Sequence, residues 1–129
     1  MSNLGFGLMR LPRRGLMTDI GQTCTMVDMF LEAGFTYFDT ALIYVGSEDA
    51  TRKALVHRHP RESFTVATKL NASVAPTEAS ARKQVRTSLK RMGADYIDYY
   101  LLHSVMSGNR NKYDRMGLWD YARQLKREG

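Results

Sequence analysis

Apolar and polar positions fall into four rounds of one pattern, a short apolar run followed by a stretch whose apolar residues recur every three or four positions. Residues 5–9 form the first run, closed by the basic, proline-containing turn 10–14, and predict a strand. A helix over about residues 20–33 follows, with Thr18 or Asp19 to cap it, Val27, Phe30 and Leu31 on one face, and Gly34 where a helix C-cap belongs. The aromatic and β-branched run 35–39 predicts a second strand. Its helix starts at Ser47 as N-cap, with Glu48 and Asp49 in the positive first turn and Arg52, Lys53, His57 and Arg58 toward the negative end before Pro60. Residues 64–69 predict a third strand. Thr77 caps a third helix whose Ala81, Gln84, Val85, Ser88, Leu89 and Met92 mark a buried stripe. Residues 96–103 predict a fourth strand, apolar enough to be covered on both faces. The polar loop 104–112 then leads to a last helix opened by Asp114, with Leu118, Tyr121, Ala122 and Leu125 on one side.

Strand starts near 5, 36, 64 and 96 are each separated by roughly thirty residues, with a helix in every interval. Repeated βα units build a parallel sheet, either open and doubly wound or closed as a (β/α)8 barrel. A barrel takes eight units and ~250 residues, and the 129 residues here hold four units. The expectation is therefore α/β, the N-terminal half of a (β/α)8 barrel, with residues 1–129 as one partial domain. The closing Lys126-Arg127-Glu128-Gly129 resembles a helix C-cap, so the chain looks cut at a unit boundary.

Composition narrows the class. Hydrophobic residues at 43% and charged residues at 25% are ordinary globular usage and argue against disorder or low complexity. A net charge of +6 invites an anionic partner such as a phosphorylated cofactor. The lone Cys24 has no intrachain disulfide partner, and the opening MSNLGFGLMRLP lacks the basic-then-apolar pattern of a signal peptide, so the expected compartment is the cytoplasm. No apolar run approaches the roughly 20 residues that span a bilayer, and no membrane partner is expected.

Asp39, Lys69 and His103 each stand at the C-terminal end of a predicted strand, where α/β proteins of both architectures gather functional groups. Singly each has a plain alternative: Asp39 bonded to loop amides, Lys69 a solvated strand end, His103 a satisfied loop histidine. Tyr44 lies five residues past Asp39, in a loop able to arch over the same mouth. Reducing a carbonyl takes a hydride at carbon and a proton at oxygen. A phenol with its usual pKa of about 10 serves as that acid at neutral pH only beside a cation. Lys69 is the candidate cation, Asp39 its ion-pair anchor, and His103 the hydrogen-bonding group for the carbonyl.

Gly5-Phe6-Gly7-Leu8-Met9-Arg10-Leu11-Pro12, Phe38-Asp39-Thr40-Ala41 with Tyr44 and Gly46-Ser47-Glu48, Ala67-Thr68-Lys69, and Asp98-Tyr99-Tyr100-Leu101-Leu102-His103 together resemble the aldo-keto reductase superfamily. The resemblance covers essentially the whole chain and is nearest to a bacterial branch of provisionally assigned oxidoreductases. Some of that branch carry an iron-sulfur segment near the C-terminus, for which this chain has no cysteines. It implies a nicotinamide-dependent (β/α)8 barrel that reduces a small aldehyde or ketone. The implied cofactor is NADPH, and the family's Asp, Tyr, Lys and His tetrad falls on Asp39, Tyr44, Lys69 and His103. Gly7, Met9, Asp39 and Tyr44 are implied at the nicotinamide end. The family's phosphate-binding contacts lie mostly in its second half. The rival expectation is a catalytically silent half-barrel that self-associates as a homo-oligomer through its open edges, or a truncated product.

Other signals carry less. Gly5-Phe6-Gly7-Leu8-Met9-Arg10 begins like a dinucleotide fingerprint, but Arg10 takes the third glycine's place. His57 and His59, two apart on a helix, point about 200 degrees from one another and suit a solvated helix end better than a metal. Cys24 reads as a boundary residue of an amphipathic helix. Arg82, Lys83, Arg86, Lys90 and Arg91 form a basic helix face without interleaved aromatics, which predicts a solvated face and no nucleic acid.

Overall fold

A computed structural model describes residues 4–129. Residues 1–3, the start of the opening segment MSNLGFGLMRLP, lie outside the described residues. Four strands, β1 (Gly5–Gly7), β4 (Tyr37–Asp39), β5 (Thr65–Leu70) and β6 (Tyr99–Leu102), pair in that order and all in parallel. The pairing sets Gly7 beside Asp39, Asp39 beside Ala67, and Ala67 beside Tyr99, so strand ends that are far apart in sequence share one rim. Parallel pairing with a helical segment in each crossover is the expected βα repeat.

The first strand is shorter than the apolar run 5–9, because only the Leu8 amide still reaches across, to the Asp39 carbonyl at 2.8 Å. Beyond it, where the sequence predicts a plain turn, lies a small antiparallel hairpin of β2 (Arg13–Arg14) and β3 (Met17–Thr18). Gly15, at φ +61°, takes the left-handed position between the two. Helix α1 (Ile20–Glu32) begins as expected at Asp19, whose carboxylate accepts the Gln22 amide and also holds the Arg14 guanidinium at 3.1 Å.

The second helix departs from expectation at both ends. Gly46, not Ser47, is the N-cap of α2 (Ser47–Thr51), because the Ser47 hydroxyl is committed elsewhere, donating to the Leu8 carbonyl at 2.8 Å. A π-helical turn, Arg52–Val56, extends α2. Just past it the predicted solvated end is an ion cluster instead: Arg58 donates twice to Asp28 of α1, at 2.9 and 2.7 Å, and His59 Nε2 lies 2.8 Å from the same carboxylate. The Arg58 hydrogen bond, helped by His59 against desolvation, holds the Asp28 carboxyl below the usual carboxylate range.

Helix α3 (Glu78–Met92) carries the reciprocal Thr77–Ser80 capping box and buries Ala81, Gln84, Ser88 and Met92 of the predicted stripe, with Val85 and Leu89 half-buried beside them. Its basic face is not merely solvated. Arg82 pairs with Glu78 and lies 4.5 Å from the Tyr121 ring centre, while Arg91 donates to the Leu42 carbonyl at 3.0 Å. The predicted single last helix is two, α4 (Arg110–Arg115) and α5 (Leu118–Glu128), divided at Gly117, whose φ of +59° no helix interior accepts.

Two apolar clusters lie between the sheet and its helices. Leu8, Val27, Phe38, Leu55, Val66 and Met92 form one, with Cys24 packed at its margin as expected. Leu70, Ala81, Tyr113, Leu118 and Tyr121 form the other. Side chains the size of Phe38 or Leu55 each contribute about 2 kcal/mol on leaving water. Strand β6 is not covered on both faces: Tyr99 is 53% and Leu101 39% exposed, because they point from an edge strand onto the uncovered concave side of the sheet.

Candidate active site

The C-terminal rim of the sheet brings all four predicted residues together. Lys69, near the end of β5, donates to Asp39 Oδ2 at 2.7 Å and to the Thr40 carbonyl at 2.6 Å, so its ammonium is fixed at two points. Register explains the approach: Asp39 pairs with Ala67, which places Lys69 one pleat further along on the same face. The Lys69 Nζ lies 5.1 Å from the Tyr44 ring centre, and the Tyr44 and His103 rings meet edge-on at 5.6 Å and 89°. A continuous chain of contacts thus runs Asp39–Lys69–Tyr44–His103.

His103 is 9% exposed, and its Nδ1 is shut away without a hydrogen-bond partner. Burial, reinforced by the Lys69 charge and opposed by Asp39, pushes its pKa below the usual histidine value. The ring is therefore neutral at pH 7, and Nε2 is the nitrogen left to meet a ligand.

Several supporting residues were not singled out from the sequence. Thr40 Oγ1 lies 2.6 Å from Ser47 Oγ, and since Ser47 already donates to Leu8, Thr40 is the donor in this pair. The relay clamps the Tyr44 loop between the ends of β1 and β4. Glu48, 2% exposed, accepts from the Thr68 hydroxyl at 2.7 Å, and its second oxygen lies 3.6 Å from Arg91. Tyr113, fully buried, donates to the His103 carbonyl at 2.5 Å and accepts the Ala72 amide at 3.3 Å, pinning the backbone beneath the imidazole. Gly46-Ser47-Glu48 was visible as a motif, but its inward hydroxyl and carboxylate read as ordinary helix-start polarity. Tyr113 had no sequence signal beyond an aromatic beside a polar loop.

Of the residues expected at the cofactor's nicotinamide end, Gly7 pairs with Asp39 on this rim. A Cβ at Gly7 would meet no atom within 4 Å, so open space adjoins Asp39 on the concave side. Met9 is 59% exposed and lines a separate cavity of about 230 Å³ with Leu8, Arg10, Leu11, Arg13 and Thr18. Among the described residues no helix is long and apolar enough to cross a membrane.

The parallel βα sheet, with Asp39, Lys69, Tyr44 and His103 clustered on its C-terminal rim, defines an α/β protein of the barrel class. The aldo/keto reductase family profile matches residues 3–129, and the chain belongs to that family of oxidoreductases. An aldo-keto reductase of Mycolicibacterium smegmatis is 36% identical over 104 residues, which are 80% of this chain and 35% of the relative. Among solved structures, the aldo-keto reductase candidate PA4992 of Pseudomonas aeruginosa superposes with a TM-score of 0.81 at 26% identity, over 99% of this chain and 52% of its own. An aldo-keto reductase of Klebsiella pneumoniae, solved in complex with NADPH, shares the fold at TM-score 0.66 and 23% identity, over 87% of this chain and 40% of its own. The chain thus spans about a third of that curated relative, and its four βα units correspond to half of a (β/α)8 barrel.

Proposed function

We propose that this chain carries the proton-transfer half of an NADPH-dependent carbonyl reductase that converts a small aldehyde or ketone to an alcohol. The carrying observation is the two-point fixation of the Lys69 ammonium, on Asp39 and on the Thr40 carbonyl, within 5.1 Å of the Tyr44 ring centre. Tyr44 donates the proton to the carbonyl oxygen. Lys69 stabilises the negative charge left on the phenol, and Asp39 holds Lys69 in place. Neutral His103 orients the carbonyl through Nε2. A dihydronicotinamide, when bound, supplies the hydride. Gly7, Met9, Asp39 and Tyr44 would receive that end of it, a reading supported by the open space beside Gly7. NADPH rather than NADH is supported by the Klebsiella complex. The unpartnered Cys24 supports a cytoplasmic setting.

The test is Tyr44→Phe in the whole protein, with NADPH oxidation followed in the presence of 4-nitrobenzaldehyde. Loss of a positioned general acid predicts a fall in kcat of about 100-fold or more, with NADPH affinity kept within about twofold. A variant that retains its rate removes Tyr44 from the role.

The exposed Tyr99 and Leu101 on the concave face, together with the open edges of β1 and β6, support a second reading, a half-barrel that pairs with another copy. Sedimentation of the 129-residue chain tests it. Self-association without NADPH binding favours that reading, and a monomer that binds NADPH rejects it.

A further inference from the structure

The 230 Å³ cavity beside the active-site rim has walls from three segments: the end of β1 through Leu8, Met9, Arg10 and Leu11, the hairpin through Arg13 and Thr18, and the Tyr44 loop through Val45 and Ser47. Two arginines line it and no acidic residue does. Of the three arginines in this segment, Arg14 is neutralised by Asp19, whereas Arg10 and Arg13 make no ion pair among the described residues. Two unneutralised guanidiniums on one small concave wall repel each other and attract an anion, and guanidinium geometry suits a carboxylate or phosphate.

The wall is held in place. The Asp19 amide donates to the Pro12 carbonyl at 2.8 Å and closes the hairpin's base, and a Cβ at Gly46 would lie 3.8 Å from the Thr18 hydroxyl, so the hairpin abuts the Tyr44 loop. The cavity is also wired to the reaction rim. Ser47, one of its lining residues, bonds to Thr40, and the Thr40 carbonyl accepts from Lys69.

We infer that this cavity binds an anionic group of the carbonyl substrate, a carboxylate or phosphate, with Arg10 and Arg13 as the recognising residues. The inference rests on the carbonyl-reduction reading above and names its substrate class as acidic carbonyl compounds. Both arginines are solvent-exposed, so each interaction is screened by salt and worth about a fivefold change in affinity rather than a hundredfold.

A binding experiment tests this without turnover, so an inactive chain does not obscure the result. The 129-residue chain is titrated with 4-hydroxybutanoate, the alcohol of an acidic aldehyde, and with uncharged 1-butanol, and backbone amide shifts are followed by NMR. The expected result is saturable movement of the Leu8, Met9, Arg10, Arg13 and Thr18 amides by 4-hydroxybutanoate, with 1-butanol at least tenfold weaker. Arg10→Gln with Arg13→Gln weakens 4-hydroxybutanoate about tenfold or more, Arg14→Gln changes it less than twofold, and NADPH affinity stays within twofold in every variant. Equal binding of 1-butanol, no saturable shift at the cavity, or an equal loss in Arg14→Gln overturns the inference. A tenfold loss for NADPH with none for 4-hydroxybutanoate assigns the anion to the cofactor's phosphates and overturns it as well.

Discussion

The Lys69 ammonium lies 2.7 Å from the Asp39 carboxylate, across two adjacent parallel strands whose pairing places both side chains on one face. Lys69 is 12% and Asp39 32% exposed at the side chain, a half-buried pair in which each charge depends on the other for solvation lost on folding. Asp39→Asn should therefore cost about 1–3 kcal/mol of stability by leaving Lys69 underpaired. Lys69→Met in the Asp39→Asn background should recover part of that loss. Urea denaturation of the two single variants and the double closes the cycle, and a coupling near zero shows that the pair is not a unit.

His103 gives the fold a pH dependence of known sign. Its native pKa lies below the ordinary value of 6.5, so the native ring resists a proton that the unfolded ring accepts. Native stability from this group is complete above about pH 6.5 and is lost as pH falls from there toward the native pKa. Denaturation midpoints between pH 8 and pH 5 should decline more steeply for the wild-type chain than for His103→Gln. Equal slopes would remove His103 as the source of the dependence.

The strand ends were legible to within a residue because each predicted run closes on a single charged or titratable residue, Asp39, Lys69 or His103, while the strands end at Asp39, Leu70 and Leu102. Helix faces were legible for the same periodic reason, and the α3 stripe held at Ala81, Gln84, Ser88 and Met92. What escaped depends on side chains turning inward against their type. Ser47 looks like a cap but bonds to Leu8, 39 residues earlier, and no local pattern encodes a partner at that distance. His59 and Arg58 resemble a solvated helix end because Asp28 lies about thirty residues away on another helix. The open face of β6 was misread because residues shaped for a barrel interior are apolar on both sides whether or not anything covers them.

Glu48 is 2% exposed, with one carboxylate oxygen bonded to Thr68 and the other unpartnered apart from Arg91 at 3.6 Å. Glu48→Gln keeps an acceptor for Thr68 and should change stability by less than about 1 kcal/mol. Glu48→Ala strands the Thr68 hydroxyl in the interior and opens a void, and should cost about 2–3 kcal/mol. Calorimetric melting of the two variants separates these outcomes, and an equal loss in both would mean that the charge, not the hydrogen bond, stabilises the loop.

Gly93 closes α3 in the left-handed region at φ +62°, where its amide bonds back to the Leu89 and Lys90 carbonyls. A Cβ there would come within 2.8 Å of His57 Nε2 and 3.1 Å of Arg52 Cδ, so a side chain meets both an unfavourable backbone region and two neighbours from the π-helical turn and its end. The neighbours are flexible side-chain ends that can retreat, which leaves the backbone as the larger cost. Gly93→Ala should lower stability by about 1–2 kcal/mol. Gly108→Ala is the control, because a Cβ at Gly108 meets nothing within 4 Å and Gly108 is not among the positive-φ residues. Chemical denaturation of both should show the loss at Gly93 alone. If Gly93→Ala with His57→Ala regains most of the stability, the clash with the imidazole outweighs the backbone cost and the order of the two effects is reversed.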